Sequence, residues 1–280
     1  MNTIVLNSNN IINSGNNQLR YRFPTANNFP SHQIALASIQ LYYSWFNISS
    51  SNGNNVFQYR WFDNVVYTVN IPNGFYTIAQ LSAYLQSVMI SNTHYLISST
   101  TRTNVYFLEF VTNATLYSCQ INAYPLSQTL ATSNNWTLPV NATWTIPGGA
   151  SISTIIIGAS NFTKILGINA GTYPVVANVS TSQAYSKTSD FCPSVSPVNS
   201  LMLSCSLINS PYGNPANILY SFAPDVTFGS LINNQVNEFS WVEIAQGNYT
   251  EILITIVDQN LNPVTIIDPS IVITLLIKKV

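Results

Sequence analysis

Residues 201–280 read as one short apolar run after another: LMLSCSLIN, ANILYSF, NEFSWVEIA, YTEILITIVDQNLN and PSIVITLLIKK. Apolar and polar positions alternate within most of these runs, and Gly, Pro and Asn punctuate them. Nothing between them repeats apolar residues at three and four. Five strands at spacings of about 10–15 residues, without helical periodicity, predict an antiparallel sandwich or barrel. The segment Asp-Gln-Asn-Leu-Asn (258–262) is predicted to form a tight hairpin loop between the last two strands.

The first 18 residues are polar and Asn-rich and are expected to form an arm before a first strand at 19–23. Further strands are predicted at 33–44, 55–62 and 65–72, the last two joined by Asp63-Asn64, a good hairpin turn. Thr77 and Gln80 have capping-box spacing. Ile78, Leu81, Tyr84, Leu85 and Val88 then fall on one helical face. Asn92 is expected to stop this helix, because asparagine tolerates the left-handed conformation. Strands follow at 94–99, 105–112 and 117–124. Residues 125–147 hold Trp136 and Trp144 among Asn, Pro and polar residues, and predict a loop insertion over about 125–150. A strand at 153–157, a helical turn at 162–167 closed by Gly167 and a strand at 173–179 complete the reading. There is no internal repeat and no clean linker. The expected organisation is an arm (1–18) and one domain (19–280) carrying that insertion.

Composition narrows the function. Only 6% of residues are charged, against about a quarter in ordinary soluble domains, with 8 Lys and Arg and 9 Asp and Glu. Nucleic-acid binding by counterion release needs clustered basic residues. Here Lys278-Lys279 is the one adjacent basic pair and Arg20 and Arg22 alternate, so no specific nucleic acid is expected. A chain that is 46% hydrophobic and so poor in charge is expected to have much of its surface covered in its working state. The 16 Tyr, 13 Phe and 5 Trp argue against disorder. The start of the chain lacks a secretory leader pattern, and no run approaches a membrane span. Cys119, Cys192 and Cys205 show no CxxC spacing and are expected to be reduced, mostly buried thiols. The sequons at Asn47, Asn113, Asn135, Asn141, Asn161, Asn178 and Asn248 are expected by chance in such a composition and are read as unused.

No catalytic constellation has credible spacing. His32 and His94 are the two histidines, and neither belongs to a zinc or phosphate-cradling motif. No cofactor is implied, no loop is dense enough in Asp for calcium, and the chain is not read as an enzyme. A carboxylate pair across a hairpin at Gly247-Asn248, formed by Glu243 and Glu251, is the one arrangement that would suit a β-sandwich hydrolase. Trp45, Trp61 and Trp241 fall in predicted strands and are assigned to the core. Trp136 and Trp144 are the candidates for a binding surface on a loop.

Three features in one order resemble the penton, or minor capsid, proteins of virophages, polinton-like viruses and related large double-stranded DNA viruses. The first is Ile71-Pro72-Asn73-Gly74-Phe75-Tyr76 leading into a helix with Leu81. The second is residues 162–167, similar to the family's F-x-x-x-L-G segment. The third is the C-terminal strand series, closing in ILITIVDQN, a turn, and an apolar strand ending Lys278-Lys279. An Asn stands where a Gly is usual after Asp258-Gln259. The resemblance covers residues 65–90 and 155–280. It implies an all-β single jelly-roll, two antiparallel sheets face to face, with one short helix. It also implies a homopentamer at each fivefold vertex of an icosahedral capsid, touching major capsid protein capsomers. Lys278 and Lys279 would then face inward, the outer loops could meet a host receptor or glycan, and the protein would be made in the host cytoplasm or a viral factory. The alternatives are a receptor- or carbohydrate-binding β-sandwich such as a spike head, and the hydrolase above.

Overall fold

The run NYTEILITIVD buries Ile252, Ile254 and Ile256 and leaves the residues between them partly exposed. Period-two alternation of this kind commits one face of a strand to a core and dictates which neighbouring residues turn inward with it. Leu19 and Cys205 stand opposite Ile254, and Leu203 stands opposite Ile256; all three are buried.

The computed structural model describes residues 1–175, 181–211 and 213–280. These gather into two compact units, residues 1–46 with 196–280, and residues 47–195. The chain opens with strands β1 (Asn2–Leu6), β2 (Gln18–Asn28) and β3 (His32–Tyr42). The second unit begins with β4 (Val56–Arg60), β5 (Val66–Asn70), helix α1 (Ile78–Ser91), β6 (Leu96–Ser98) and β7 (Asn104–Val105). It continues with β8 (Leu108–Asn113), β9 (Ser118–Ala123), β10 (Pro125–Leu126), α2 (Gln128–Ser133) and β11 (Trp136–Thr137). It ends with β12 (Ser151–Ile152), β13 (Thr154–Ile157), α3 (Phe162–Leu166), β14 (Gly171–Tyr173) and β15 (Tyr185–Thr188). The first unit resumes with β16 (Leu201–Cys205), β17 (Ile218–Phe222) and β18 (Leu231–Gln235). Strands β19 (Val242–Glu243), β20 (Asn248–Asp258) and β21 (Val272–Lys279) close it.

In the first unit one sheet runs β1-β21-β3-β18, with β19 also on β3, and the other runs β17-β16-β20-β2. Set the two-residue β19 aside and number the remaining eight in chain order. The sheets then read 1-8-3-6 and 5-4-7-2. That is the jelly-roll order, in which strands adjacent in sequence mostly lie in opposite sheets. Ile4, Leu6, Ile34, Ile39, Leu41, Ile273, Leu275 and Ile277 form the buried row of the first sheet. The expected all-β single jelly-roll is this unit.

The second unit enters the chain between the third and fourth jelly-roll strands. It holds a four-stranded sheet, β14-β13-β4-β5, and a three-stranded one, β15-β9-β8. Phe57, Tyr59, Trp61, Phe107, Phe110, Phe162 and the apolar face of α1 fill its core. Helix α1 has the predicted capping box: Thr77 Oγ1 accepts from Gln80 N–H and Gln80 Oε1 accepts from Thr77 N–H.

Several expectations are corrected. Residues 2–6, placed in a loose arm, form β1 and bury Ile4 and Leu6 against β21. The rest of that segment is a corner laced by asparagine side chains. Asn16 donates to Ile266 O, and Asn17, 2% exposed, donates to Ile256 O. The strands between residues 55 and 124 belong to the second unit, not to the jelly roll, and the insertion expected over 125–150 supplies α2 and β11 there. Among the described residues three α-helices are present where one was expected, with 162–167 read as a single turn. Residues 258–262 do form a turn, closed by Asp258 N–H to Asn262 O and by Asp258 Oδ1 accepting from Asn260 and Asn262 N–H. It is not a hairpin between the last strands, because β20 and β21 lie in different sheets and residues 259–271 arch between them. The run NEFSWVEIA is mostly irregular. The sixth strand is LINNQ, missed because Ile232 is its one buried residue. Asn92 has φ −94°; the left-handed residue after α1 is Thr93, at φ 57°. The strand expected at 173–179 falls largely on residues 176–180, outside the described residues.

Alternation predicts opposite costs on the two faces of the jelly-roll strands. Ile254→Ala should lower unfolding free energy by about 2–5 kcal/mol, the usual range for such buried truncations. Val5→Ala, at a position 52% exposed, should change it by less than about 0.5 kcal/mol. Urea denaturation midpoints of the two variants check this.

Candidate functional site

Two motifs singled out in the sequence converge on the ends of the second unit. Asn47 is its first residue and Val195 its last. Asn47 is 1% exposed. Its Nδ2 donates to Val195 O at 2.7 Å and to Tyr76 O at 2.8 Å, and its Oδ1 accepts from Tyr76 N–H at 2.8 Å. Asn54, also buried, donates to Asn47 O at 2.8 Å and accepts from Ser49 N–H at 2.9 Å. Ile48 and Gly74 exchange both backbone hydrogen bonds, at 2.9 and 3.1 Å. A Cβ on Gly74 would stand 2.8 Å from the Tyr76 ring, so glycine is what lets that ring fold back. The Ile-Pro-Asn-Gly-Phe-Tyr motif is thus the strap against which residues 47–50 close.

The second motif holds the exit. Gly167 ends α3 at φ 70°, and its carbonyl accepts from Asp190 and Phe191 N–H at 2.7 and 3.0 Å. A Cβ there would lie 2.2 Å from Phe191 O, so any side chain would push the exit segment away. Lys164 O accepts from Ser194 N–H at 2.8 Å. Phe162 stacks on Phe57, centroids 5.1 Å apart and rings within 4° of parallel. Asp190 pairs with Lys187 and accepts from Asn169 N–H. That backbone hydrogen bond, then the Lys187 contact, hold its carboxyl below the usual range. Buried amides, carbonyls and rings of this kind organise a structure and offer no nucleophile or acid–base pair. Asn47 and Asn54 gave no sequence signal, since they stand among many asparagines.

The catalytic alternative finds no geometry. Glu243 lies on β19 opposite Gln33, in one sheet, and Glu251 on β20 opposite Arg22, in the other. The hairpin that would have paired them does not form, because the jelly roll sends consecutive strands to opposite sheets. Glu251 Oε2 instead lies 3.8 Å from Arg20 Nε and 3.7 Å from Arg22 Nε. Among the described residues no group of His, Cys, Asp and Glu could hold a metal. No described helix is long and apolar enough to cross a membrane. Cys119 and Cys205 are buried and their thiols are pushed up to about 12, while Cys192 is exposed; all three are free. An open depression of about 580 Å³ is lined by Gly53, Ser160, Asn161, Thr163 and Asn169, with no aromatic or charged residue.

The tryptophans divide differently from expectation. Trp144, a candidate for loop binding, is a core residue at 3% exposure. Its indole N–H donates to Thr93 O at 2.7 Å, and its ring meets Trp61 edge-on at 5.1 Å. Trp136 is half-buried on β11 against Phe107. Trp45 and Trp61 are in the core as assigned. Trp241 is only half-buried, with Lys278 Nζ 4.1 Å from its ring centroid. Lys279 is exposed at the end of β21, opposite His32.

The outward face of the β1-β21-β3-β18 sheet carries one charged row, Lys278, Gln33 and Glu243, and two uncharged ones. Val5, Thr274 and Ser38 form one cross-strand row on it, and Val272, Gln40 and Asn233 another. Val5, Val272 and Leu231 are 52%, 37% and 44% exposed, and neither row contains a charge. The opposite sheet presents Arg20, Arg22 and Glu251.

The first unit is therefore a jelly roll with a second unit in its third connection. No protein-family model matches the chain, and no curated protein does. Among solved structures, the chain is similar over its whole length to the mavirus penton protein, with 10% identity, a TM-score of 0.44 and 98% of that chain covered. It is also similar to a chain of the Sputnik virophage structure, with 11% identity, a TM-score of 0.37 and 98% coverage. The jelly-roll assignment rests on the strand order itself.

Asn47→Asp should destabilise the second unit by about 3 kcal/mol, because two buried carbonyls lose their donor and face a carboxylate instead. Limited proteolysis should then cut faster near residues 47–54 and 190–195 than in the wild type.

Proposed function

We propose that this chain is a penton protein, a minor capsid protein that forms homopentamers at the fivefold vertices of an icosahedral capsid. The observation that carries the reading is the jelly-roll strand order, joined to the same motif order that resembles this family in the sequence. Fold by itself does not define function, but the surface supports the same conclusion. A closed ring joins two different patches head to tail around an axis. Permanent interfaces of that sort are large and resemble a core cut in half. The part of that face bearing Val5, Leu231 and Val272, away from the Lys278–Gln33–Glu243 row, suits one of those patches. Lys278 and Lys279 are assigned to the side of the ring that faces the capsid interior, and neighbouring capsomers to its rim. Of the two candidates for a receptor or glycan, Trp136 on β11 is the one that keeps exposed surface.

Light scattering on the purified chain, with electron-microscopic class averages, tests this. Five copies of 30.9 kDa, about 155 kDa, with fivefold averages are expected. A stable trimer would overturn the reading in favour of a spike head. Val272→Asp and Leu231→Asp should abolish the rings without loss of β-structure by circular dichroism. Loss of fold in both would mean that this face is core.

A further inference from the structure

His94 sits just past the end of α1 and is 2% exposed. Its ring lies flat on Trp61, with centroids 4.8 Å apart and planes 12° from parallel. It meets Tyr59 and Tyr67 edge-on at 5.7 and 4.5 Å. Nδ1 is 2.8 Å from the Tyr59 hydroxyl, and that hydroxyl also accepts from Asn92 Nδ2 at 2.9 Å. A phenol has one proton to give. With Asn92 donating to the oxygen, giving that proton to Nδ1 leaves each of the three groups paired, and it assigns a neutral imidazole carrying its proton on Nε2.

The groups around this ring come from three places. Tyr59 is on β4, with Trp61 directly after it; Tyr67 is on β5; Asn92 caps α1. Trp144 packs edge-on against Trp61 from the loop after β11. The charged group facing the cluster is Asp63, in the β4–β5 turn. Its carboxylate is already occupied, accepting from the Tyr67 hydroxyl at 2.7 Å and from Val65 N–H at 2.9 Å. Burial pushes the Tyr59 and Tyr67 phenols up to about 12, so both stay protonated at neutral and acid pH.

We infer that His94 is an acid-operated release in the second unit: on gaining a proton its Nδ1 stops accepting, the Tyr59 phenol proton loses its acceptor inside the buried cluster, and the β4–β5 hairpin is freed from the end of α1. This goes beyond the vertex reading and does not depend on it.

Burial lowers the imidazole from its ordinary 6.5 to about 4, with Asp63 opposing the shift. Because the folded value is the lower one, the unfolded chain binds more protons between the two. The stability is therefore fully present above about pH 6.5 and is lost progressively as pH falls towards about 4. A gap of that width corresponds to roughly a 300-fold loss in the folding equilibrium constant.

The test uses the whole chain, with urea midpoints followed from about pH 7.5 to about pH 4 in wild type and His94→Gln. The glutamine amide can accept from Tyr59 but cannot titrate. The wild type is expected to lose stability more steeply than the variant below about pH 6.5, with a difference of roughly 150-fold at about pH 4. Parallel curves overturn the proposal. If His94→Gln does not fold, the wild-type His94 ring resonance, identified by its persistence in His32→Gln, gives the answer. Titration well below the ordinary histidine value, with hydrogen exchange rising first in β4, β5 and the end of α1, is expected. Titration near the ordinary value in the folded protein overturns it.

Discussion

One buried amide closes the second unit. Asn47 binds the carbonyl of the unit's last residue and both backbone groups of Tyr76, so its two ends and its Pro-Asn-Gly strap share one side chain. A segment whose ends lie this close can leave and re-enter a host chain between two strands, which is the condition for inserting one folded unit into another. The amide suits this role because it carries a donor and an acceptor on one rigid plane and no charge to desolvate. Gly74 and Gly167 make the same closure sterically possible, one under the Tyr76 ring and the other against the Phe191 carbonyl.

The same chemistry recurs through a chain that has almost no charge to spend on order. Asn7 and Asn10 cap each other's backbone groups around the turn at Ser8–Asn10. Asn13 holds Asn17, and Asn16 and Asn17 reach the carbonyls of Ile266 and Ile256. Neutral amides thus satisfy backbone groups at corners where the sheets have no partner to offer. They leave a surface that is polar yet nearly free of charge. Carboxylates and ammonium groups would resist such burial far more strongly.

Aromatic side chains set the character of the second unit. Phe57, Tyr59, Trp61, Phe107, Trp144 and Phe162 pack edge-on or stacked around the α1 face. A histidine placed among them has little solvent to share a charge with, and the Tyr59 hydroxyl beside it already accepts from Asn92. The acid sensitivity proposed for His94 is a consequence of that packing, not of any feature local to its sequence.

Elements carried by local periodicity were legible in the sequence. The ladder strands at 252–256 and 272–279, the α1 capping box and the Asp63-Asn64 turn follow from alternation, side-chain hydrogen bonding and turn chemistry within a few residues. The jelly roll came from a resemblance, and the strand order bears it out. What the tertiary structure alone decided is partnership. A short alternating run reads the same whichever sheet it joins, so residues 55–124 could not be told from jelly-roll strands, nor β20 and β21 from a hairpin. LINNQ was silent because a strand with one buried residue has no period to show. Trp144 lay in a polar stretch, yet its ring found the core and its N–H a carbonyl, since a loop's composition does not fix which way one side chain turns. Asn47 was one asparagine among many; its role exists only where Tyr76 and Val195 meet it, across separations that no local pattern encodes.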